Sequence, residues 1–162
     1  MKESQRILLL SSVFLICGGC WFRNPPRIRP VSELLPATFA FQGHNTLLNV
    51  YFEGPFLADA NGTVVPHEAT NPLHPNLIWL IHGPSKETRL DETPHITYGQ
   101  LPTDWGQITP ENGPPPPLVE GMVYTAGANL DEGLWVGMCV LIRDGKVLEY
   151  HGKYDGHDCD EK

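Results

Sequence analysis

The stretch "VLIRDGKVLEY", residues 140–150, contains two apolar runs on either side of a central Asp144–Gly145 pair. Both of these residue types tolerate the positive φ angles that a two-residue hairpin turn requires. Short runs of aliphatic residues that flank such a turn are typical of antiparallel strands. The stretch therefore predicts a β-hairpin near the end of the chain.

The rest of the chain repeats this pattern of short apolar runs and turn residues. Runs rich in β-branched and aromatic residues lie at 37–42, 46–53, 76–83, 95–99, 121–128, 134–142 and 146–152. Short strands at such spacing favour a sandwich, and no window predicts a long amphipathic helix. We expect an all-β fold, a single immunoglobulin-like antiparallel β-sandwich of about seven strands over residues 36–154, with Trp79 in its core. The immunoglobulin likeness is one of pattern, since Trp79 lacks a flanking disulfide pair.

The first residues predict export. Lys2 and Arg6 precede the uncharged run "ILLLSSVFLI" at residues 7–16. A run of about ten residues is too short to span a bilayer, which takes about 20 residues of helix. It fits the apolar region of a secretory signal.

The end of this segment resembles a bacterial lipoprotein signal peptide. Gly18, Gly19 and Cys20 match the last three places of the processing box, and Cys17 stands where an aliphatic residue is usual. The resemblance implies a signal peptide over residues 1–19 and a mature protein that begins with lipidated Cys20. Several acyl chains hold a protein firmly at a bilayer, whereas one does not. The alternatives are an ordinary signal cut elsewhere and a Cys-x-x-Cys redox or zinc pair.

If Cys20 carries the lipid, the protein faces the periplasm from a bacterial membrane. Residue 21 is Trp rather than the Asp of an inner-membrane retention signal, which favours the outer membrane. Residues 21–30 contain three Arg and three Pro. This composition predicts an extended tether over residues 20–35 rather than a folding unit.

Cys139 and Cys159 are the cysteines that remain once Cys17 and Cys20 are accounted for. An even pair in an oxidising compartment predicts a disulfide. The alternative is a buried, reduced Cys139 in a strand and a free Cys159 in an acidic tail over residues 155–162.

Net charge limits the classes of partner. The formal net charge is −8, and removal of Lys2, Glu3 and Arg6 with the signal leaves a mature chain near −9. Nucleic-acid binding depends on Lys and Arg that neutralise phosphates, so a nucleic-acid partner is not expected. Charge favours a basic partner or serves solubility alone.

Motifs for catalysis are missing from the sequence. It contains no nucleophile elbow, His-Glu-x-x-His pair, phosphate loop or dinucleotide fingerprint. The seven histidines include His67 and His74 in a proline-rich stretch, and His151 and His157 beside the acidic tail. A metal site needs three or four converging ligands, and these spacings do not place them on one face. We therefore expect no catalysis, cofactor or metal, and metal binding by His151 and His157 is a lesser alternative.

The segment at 101–118, "LPTDWGQITPENGPPPPL", is long for a connection, and long ordered loops are disproportionately functional. Tyr98, Trp105, Pro115 and Pro116 are the candidate partner-binding residues, because rigid aromatic and proline side chains suit a binding surface. The alternative is that Trp105 folds back onto the sandwich and covers an edge strand.

Three motifs carry a family resemblance: "ITYGQLP" at 96–102, "PPPPLVEGMVYTA" at 114–126 and "IRDGKVLEY" at 142–150. Together with the signal they resemble small, mostly uncharacterised proteobacterial lipoproteins with one immunoglobulin-like periplasmic domain, some of which are regarded as type VI secretion immunity proteins. The resemblance implies a fold, a cellular location in the periplasm and one activity, the neutralisation of a toxin delivered there. It defines no binding residues.

The sequence thus predicts a lipid-anchored periplasmic module that binds a protein without catalysis, with toxin immunity as one specific version. The alternative is a structural or accessory lipoprotein of the cell envelope.

Overall fold

The computed structural model describes residues 25–59, 61–66, 76–85, 88–154 and 157–159. Their regular structure is almost entirely β, with short 3-10 turns at Leu90–Glu92 and Asp131–Gly133. The strands in chain order are β1 (Arg27–Pro30), β2 (Thr38–Gln42), β3 (Leu47–Ala58), β4 (Thr63–Pro66), β5 (Leu77–His82), β6 (Ile96–Thr97), β7 (Gly106–Thr109), β8 (Val123–Leu130), β9 (Trp135–Arg143), β10 (Lys146–Glu149), β11 (Lys153–Tyr154) and β12 (His157–Asp158).

The described strands form two sheets. The smaller has the order β1-β2-β6, and the larger has the order β10-β9-β8-β3-β4-β11-β12, with β5 between β3 and β7. Every pairing is antiparallel except that of β4 with β11. The long strand β3 is central in the larger sheet. It pairs with β8 along one edge and with β5 and then β4 along the other. The predicted all-β fold is confirmed.

The predicted hairpin is formed by β9 and β10. Arg143 pairs with Lys146, and the two residues between them take φ angles of 54° at Asp144 and 69° at Gly145. These positive angles match the twist of the strands that the turn connects. Each of the other predicted runs also contains a strand.

The N-terminal boundary of the folded part differs from the prediction. Residues 20–35 were assigned to a tether, whereas Arg27–Pro30 form strand β1 and pair with β2. Ile28 packs against the core, and Pro30 is tolerated because β1 is an edge strand. The folded domain therefore includes Arg27, and the predicted boundary at residue 36 is corrected.

An aromatic cluster joins the two sheets. Phe39 of the smaller sheet meets Phe52 of β3 edge to face, with ring centroids 5.2 Å apart. Phe52 also lies 5.6 Å from Trp79 and 4.9 Å from Tyr98. Trp79 is fully buried, as predicted. Since aromatic pairs at this spacing add to the free energy of area burial, this cluster is the centre of the sandwich.

The predicted disulfide is present. Cys139 on β9 is bonded to Cys159, with 5.4 Å between the Cα atoms and a sequence separation of 20 residues. The bridge lies in a second, smaller core with Phe56, Val64 and Val123. It fixes the end of the chain to the larger sheet, where the Cys159 N–H also donates to the Gly152 carbonyl at 2.8 Å.

The sandwich has two distinct ends. From Leu47 to Phe56, β3 extends for about 30 Å, at roughly 3.3 Å per residue. The folded chain enters beside Leu47, because Arg27 pairs with Gln42 and a short connection leads from Gln42 to β3. We call this the entry end. The turn Asp144–Gly145 lies at the other end, which we call the hairpin end, because β9 runs beside β8 from Trp135 toward it.

Removal of the disulfide should lower stability. The double variant C139S/C159S is expected to lose about 3 kcal/mol of unfolding free energy, because the bridge restricts a loop of this size in the unfolded chain. Denaturant unfolding with and without reductant measures the loss. Reductant should destabilise the wild type to the level of the variant and leave the variant unchanged; equal stability of the two oxidised proteins would contradict the expectation.

Candidate functional site

The predicted partner-binding residue Tyr98 belongs to the core. Its side chain is 8% exposed and packs against Phe52 and Trp79. Its hydroxyl donates a hydrogen bond to the Pro116 carbonyl at 2.7 Å. The Tyr98 hydroxyl therefore binds the proline segment to the sandwich, and the Tyr98 ring is not available to a partner.

Two other predicted residues are also buried. Trp105 is 7% exposed and belongs to the main core, and Pro115 is buried, whereas Pro116 is exposed. The prediction of partner contact is thus corrected for Tyr98, Trp105 and Pro115. The alternative, that Trp105 covers the sandwich, is what the structure shows.

The segment 101–118 folds onto the sandwich because Gln107 anchors it. β7 pairs with β5, and the Gln107 Oε1 accepts a hydrogen bond from the Trp79 indole at 2.9 Å. The Gln107 Nε2 donates to the carbonyls of Pro110 at 2.7 Å and Gly113 at 2.9 Å. One half-buried amide side chain thus organises both the core tryptophan and the loop.

An exposed apolar surface lies instead at the hairpin end. It consists of four aliphatic residues, which we call the hairpin-end patch: Val31 (46% exposed), Leu34 (61%), Leu35 (40%) and Val119 (46%). Single exposed aliphatic residues are ordinary, but several around one turn indicate an interaction surface.

Backbone pairing with β10 holds the first part of the patch. The Val147 N–H donates to the Glu33 carbonyl at 2.8 Å, and the Leu35 N–H donates to the Gly145 carbonyl at 3.4 Å. Leu34 forms an isolated bridge with Lys146. Residues 33–35 therefore cover the edge of β10 and hold Leu34 and Leu35 beside the turn.

Glu120 fixes the second part of the patch at the same turn. Its carboxylate accepts hydrogen bonds from the N–H groups of Asp144 and Gly145. The Gly121 N–H donates to the Ile142 carbonyl at 2.8 Å, and the Val119 N–H donates to the Tyr124 hydroxyl oxygen at 2.8 Å. Val119 is thus held on a fixed backbone, which lowers the ordering cost of binding.

Charges of both signs surround the hairpin-end patch. The exposed charged residues at this end are Glu33, Glu120, Arg143, Asp144 and Lys146. Mixed charges around an apolar centre favour specific orientation of a partner more than raw affinity. The sequence signal for this surface was the apolar pair Leu34–Leu35 between polar residues and Pro36, and the prediction of a tether passed over it.

A cleft of about 320 Å³ lies at the entry end, where Arg27, Gln42, His44 and Asp91 contribute to its walls. The Arg89 guanidinium donates to both carboxylate oxygens of Asp91 at 3.0–3.1 Å, and hydrogen bonding to Arg89 holds the pKa of Asp91 below its ordinary value. These groups are exposed, so the ion pair is solvated and weak. The cleft offers one histidine and no nucleophile with an adjacent base, so it does not fit the geometry of nucleophilic catalysis.

Metal ligation was the lesser alternative. Among the described residues, no three His, Cys, Asp or Glu side chains come together as a metal site. His67, His74 and the side chain of His157 lie outside the described residues, as does Cys20. In the part of the chain that the structure describes, no helix is long and apolar enough to cross a membrane.

Trp105 should contribute to stability and Trp135 should not. Replacement of the buried Trp105 by Ala is expected to cost about 3–5 kcal/mol of unfolding free energy, because a large cavity is left in the core. Trp135 is 54% exposed and serves as the matched control, for which W135A is expected to change stability by about 0.5 kcal/mol or less. Thermal and denaturant unfolding compare the two; an unchanged W105A melt would contradict the core role.

Alkaline pH should destabilise the fold through two tyrosines. Burial raises the pKa of the Tyr98 hydroxyl and that of Tyr124 above their ordinary values. The stability linked to each raised pKa is present below the unfolded pKa of about 10 and is lost as pH rises above it, because the unfolded chain releases these protons first. Unfolding free energies at about pH 8 and about pH 11 should show the loss. Y98F should cost about 1 kcal/mol at the lower pH and lose less on alkalinisation; an equal alkaline loss would exclude Tyr98 as a cause.

Comparisons with protein-family models, curated proteins and solved structures find no match to this chain.

Proposed function

We propose that this chain is a lipid-anchored, non-catalytic protein-binding module of the bacterial cell envelope. The observation that carries the proposal is the position of the hairpin-end patch. It lies about 30 Å, the span of β3 from Leu47 to Phe56, from the end where the folded chain begins. An anchor at Cys20 would hold the entry end near the membrane and direct the patch away from it.

The length of the connecting chain supports this orientation. Cys20 precedes Pro25, the first described residue, by five positions. Five residues reach at most about 18 Å, whatever their conformation. Because this reach is shorter than the sandwich, the hairpin end projects farther from a bilayer than the entry end when the long axis stands upright.

The chemistry of the hairpin-end patch suits a protein partner. Leu34 is 61% exposed, and its backbone is fixed by the bridge to Lys146. Burial of exposed aliphatic surface contributes about 25 cal/mol per Å². The surrounding charges of both signs supply a polar rim, as in specific protein interfaces.

Toxin immunity is the specific version of this function that the family resemblance suggests. An acidic chain of net charge −8 would attract a basic toxin over long range, and the exposed patch would supply the close contact. The second candidate is an accessory of envelope assembly. The same surface supports it, and the identity of the partner separates the two. In both versions the protein faces the periplasm, and Trp21 after Cys20 favours the outer membrane.

Capture of the partner from the native envelope tests the proposal. Lipidated full-length protein, solubilised in detergent, is compared with the double variant L34S/V119S. We expect one dominant protein partner that survives a salt wash and is lost by tenfold or more from the variant, because the variant removes aliphatic surface whose burial contributes about 25 cal/mol per Å² to binding. A basic toxin would support immunity, and an assembly protein would support the accessory role.

The control is I108S on β7, at the opposite edge of the larger sheet. Ile108 is 46% exposed, equal to Val119, so the substitution removes a similar aliphatic surface elsewhere. It should leave capture unchanged. Equal retention of a partner by the wild type and L34S/V119S would refute the assignment of the surface. Mass spectrometry of the N-terminal peptide checks the lipid on Cys20 independently.

A further inference from the structure

We infer that the entry end of the domain rests on the lipid bilayer through an apolar patch formed by Leu48, Leu134 and Trp135, which we call the entry-end patch. This inference deepens the proposed function and rests on the lipid anchor at Cys20. The three side chains are 50%, 46% and 54% exposed, respectively. Trp135 has the largest side chain among the exposed hydrophobic residues of the described chain.

Strand register places these residues at one end of the larger sheet. Trp135 pairs with Asn129, and Asn129 pairs with Asn49 on the next strand, where its amide also donates to the Asn49 side chain at 2.9 Å. Leu48 stands beside Asn49 at a register shift, which leaves Leu47 in the core and Leu48 exposed. The patch thus extends across β9, β8 and β3 where β3 begins.

The turn before Trp135 is fixed to the same end. The Asp131 N–H donates to the Thr46 carbonyl at 3.0 Å, and the Thr46 N–H donates to the Asp131 carboxylate at 3.2 Å. The Leu130 N–H donates to the Leu134 carbonyl at 2.8 Å. These bonds tie the Leu134 segment to the connection that leads from β2 into β3, which is where the folded chain enters.

The conformation of Trp135 suits the membrane interface. Its indole lies back over Gly137, where a Cβ would stand 3.1 Å from the indole Cζ3. The ring is therefore supported by the sheet and keeps one side open to solvent. Trp side chains concentrate at the headgroup level of membranes because the ring is apolar and the indole N–H is polar.

Chain length identifies the bilayer as the occupant of this patch. Pro25 lies within about 18 Å of the lipidated Cys20 by covalent geometry. Pro26 lies against Gly43, where an added Cβ would stand 3.0 Å from the Pro26 Cα, and Gly43 precedes β3 by a few residues. The anchor therefore holds this end of the sheet close to the membrane. A tether this short gives the patch a high effective concentration at the lipid surface, so a weak contact suffices.

The charges at the entry end select the kind of headgroup. Among the described residues, Arg27 and Arg89 are exposed there, and so are Asp91, Glu92 and Glu132. Two cations and three anions give no net attraction to an anionic surface. Zwitterionic headgroups, which carry both signs, match this mixture, and we expect contact with phosphatidylethanolamine vesicles that anionic lipid does not strengthen.

Tryptophan fluorescence in vesicles tests the inference. Lipidated full-length protein is reconstituted into phosphatidylethanolamine vesicles with and without brominated acyl chains, which quench nearby indoles. W135F should lose part of the lipid-quenched fluorescence, whereas Trp21 remains as a constant background in every variant. A parallel set with added phosphatidylglycerol should show the same difference.

A matched control moves the exposed tryptophan to the other end. The variant W135F/L34W carries an indole at a site 61% exposed, on the hairpin-end patch. Its added fluorescence should be quenched by aqueous acrylamide and not by brominated lipid.

The inference is overturned if W135F and the wild type show equal lipid quenching, or if the indole of L34W is quenched by lipid instead. It is also overturned if Trp135 is protected from both quenchers, which is the result expected if a second copy of the chain covers it. Mass spectrometry of the Cys20 peptide separates these outcomes from a missing anchor, since an unlipidated protein would fail the proposed function before the fluorescence is measured.

Discussion

The edge-to-face contact of Phe39 with Phe52 is the interaction on which the rest of the structure depends. It joins the smaller sheet to β3, and β3 in turn pairs with β8, β5 and β4. Register shifts along β3 allow Leu47, Val50 and Phe52 all to point into the core. Because neither sheet can bury its apolar face alone, the stability of both depends on the packing of which this contact is the centre.

Local patterns predicted the strands because each strand is a short run of apolar residues bounded by turn residues. The hairpin of β9 and β10 was predictable for this reason, and the pairing of Cys139 with Cys159 followed from counting cysteines. Strand β1 was not predictable, because three prolines and three arginines in residues 21–30 indicate an extended tether and its pairing with β2 depends on tertiary contacts. Local sequence cannot show that a proline-rich segment has a sheet edge to cover.

The candidate site was predicted less well than the fold. Tyr98 and Trp105 were reasonable binding residues by type, but burial depends on what lies above them, and Gln107 draws the segment 101–118 onto them. Trp135, which is exposed, gave no distinct signal in a sequence where similar residues form the core, and the Leu34–Leu35 pair lies in a segment whose composition predicts a tether. The signal that separates the two groups is position relative to the sheets, and only the topology supplies it. That topology places an apolar patch at each end of the sandwich, which suits a module held by one end and used at the other.

The pairing of residues 33–35 with β10 has a consequence for assembly of the fold. The bridge between Leu34 and Lys146 joins residues that are far apart in the sequence. Because such a long-range contact costs loop-closure entropy, it forms late in folding. The N-terminal segment is synthesised first, and until β10 emerges residues 33–35 lack their pairing partner and are open to wrong pairing with another molecule. Residues 33–35 and strand β10 therefore cover each other's unpaired backbone groups. A nascent or truncated chain that lacks one of the two leaves the other open to intermolecular association.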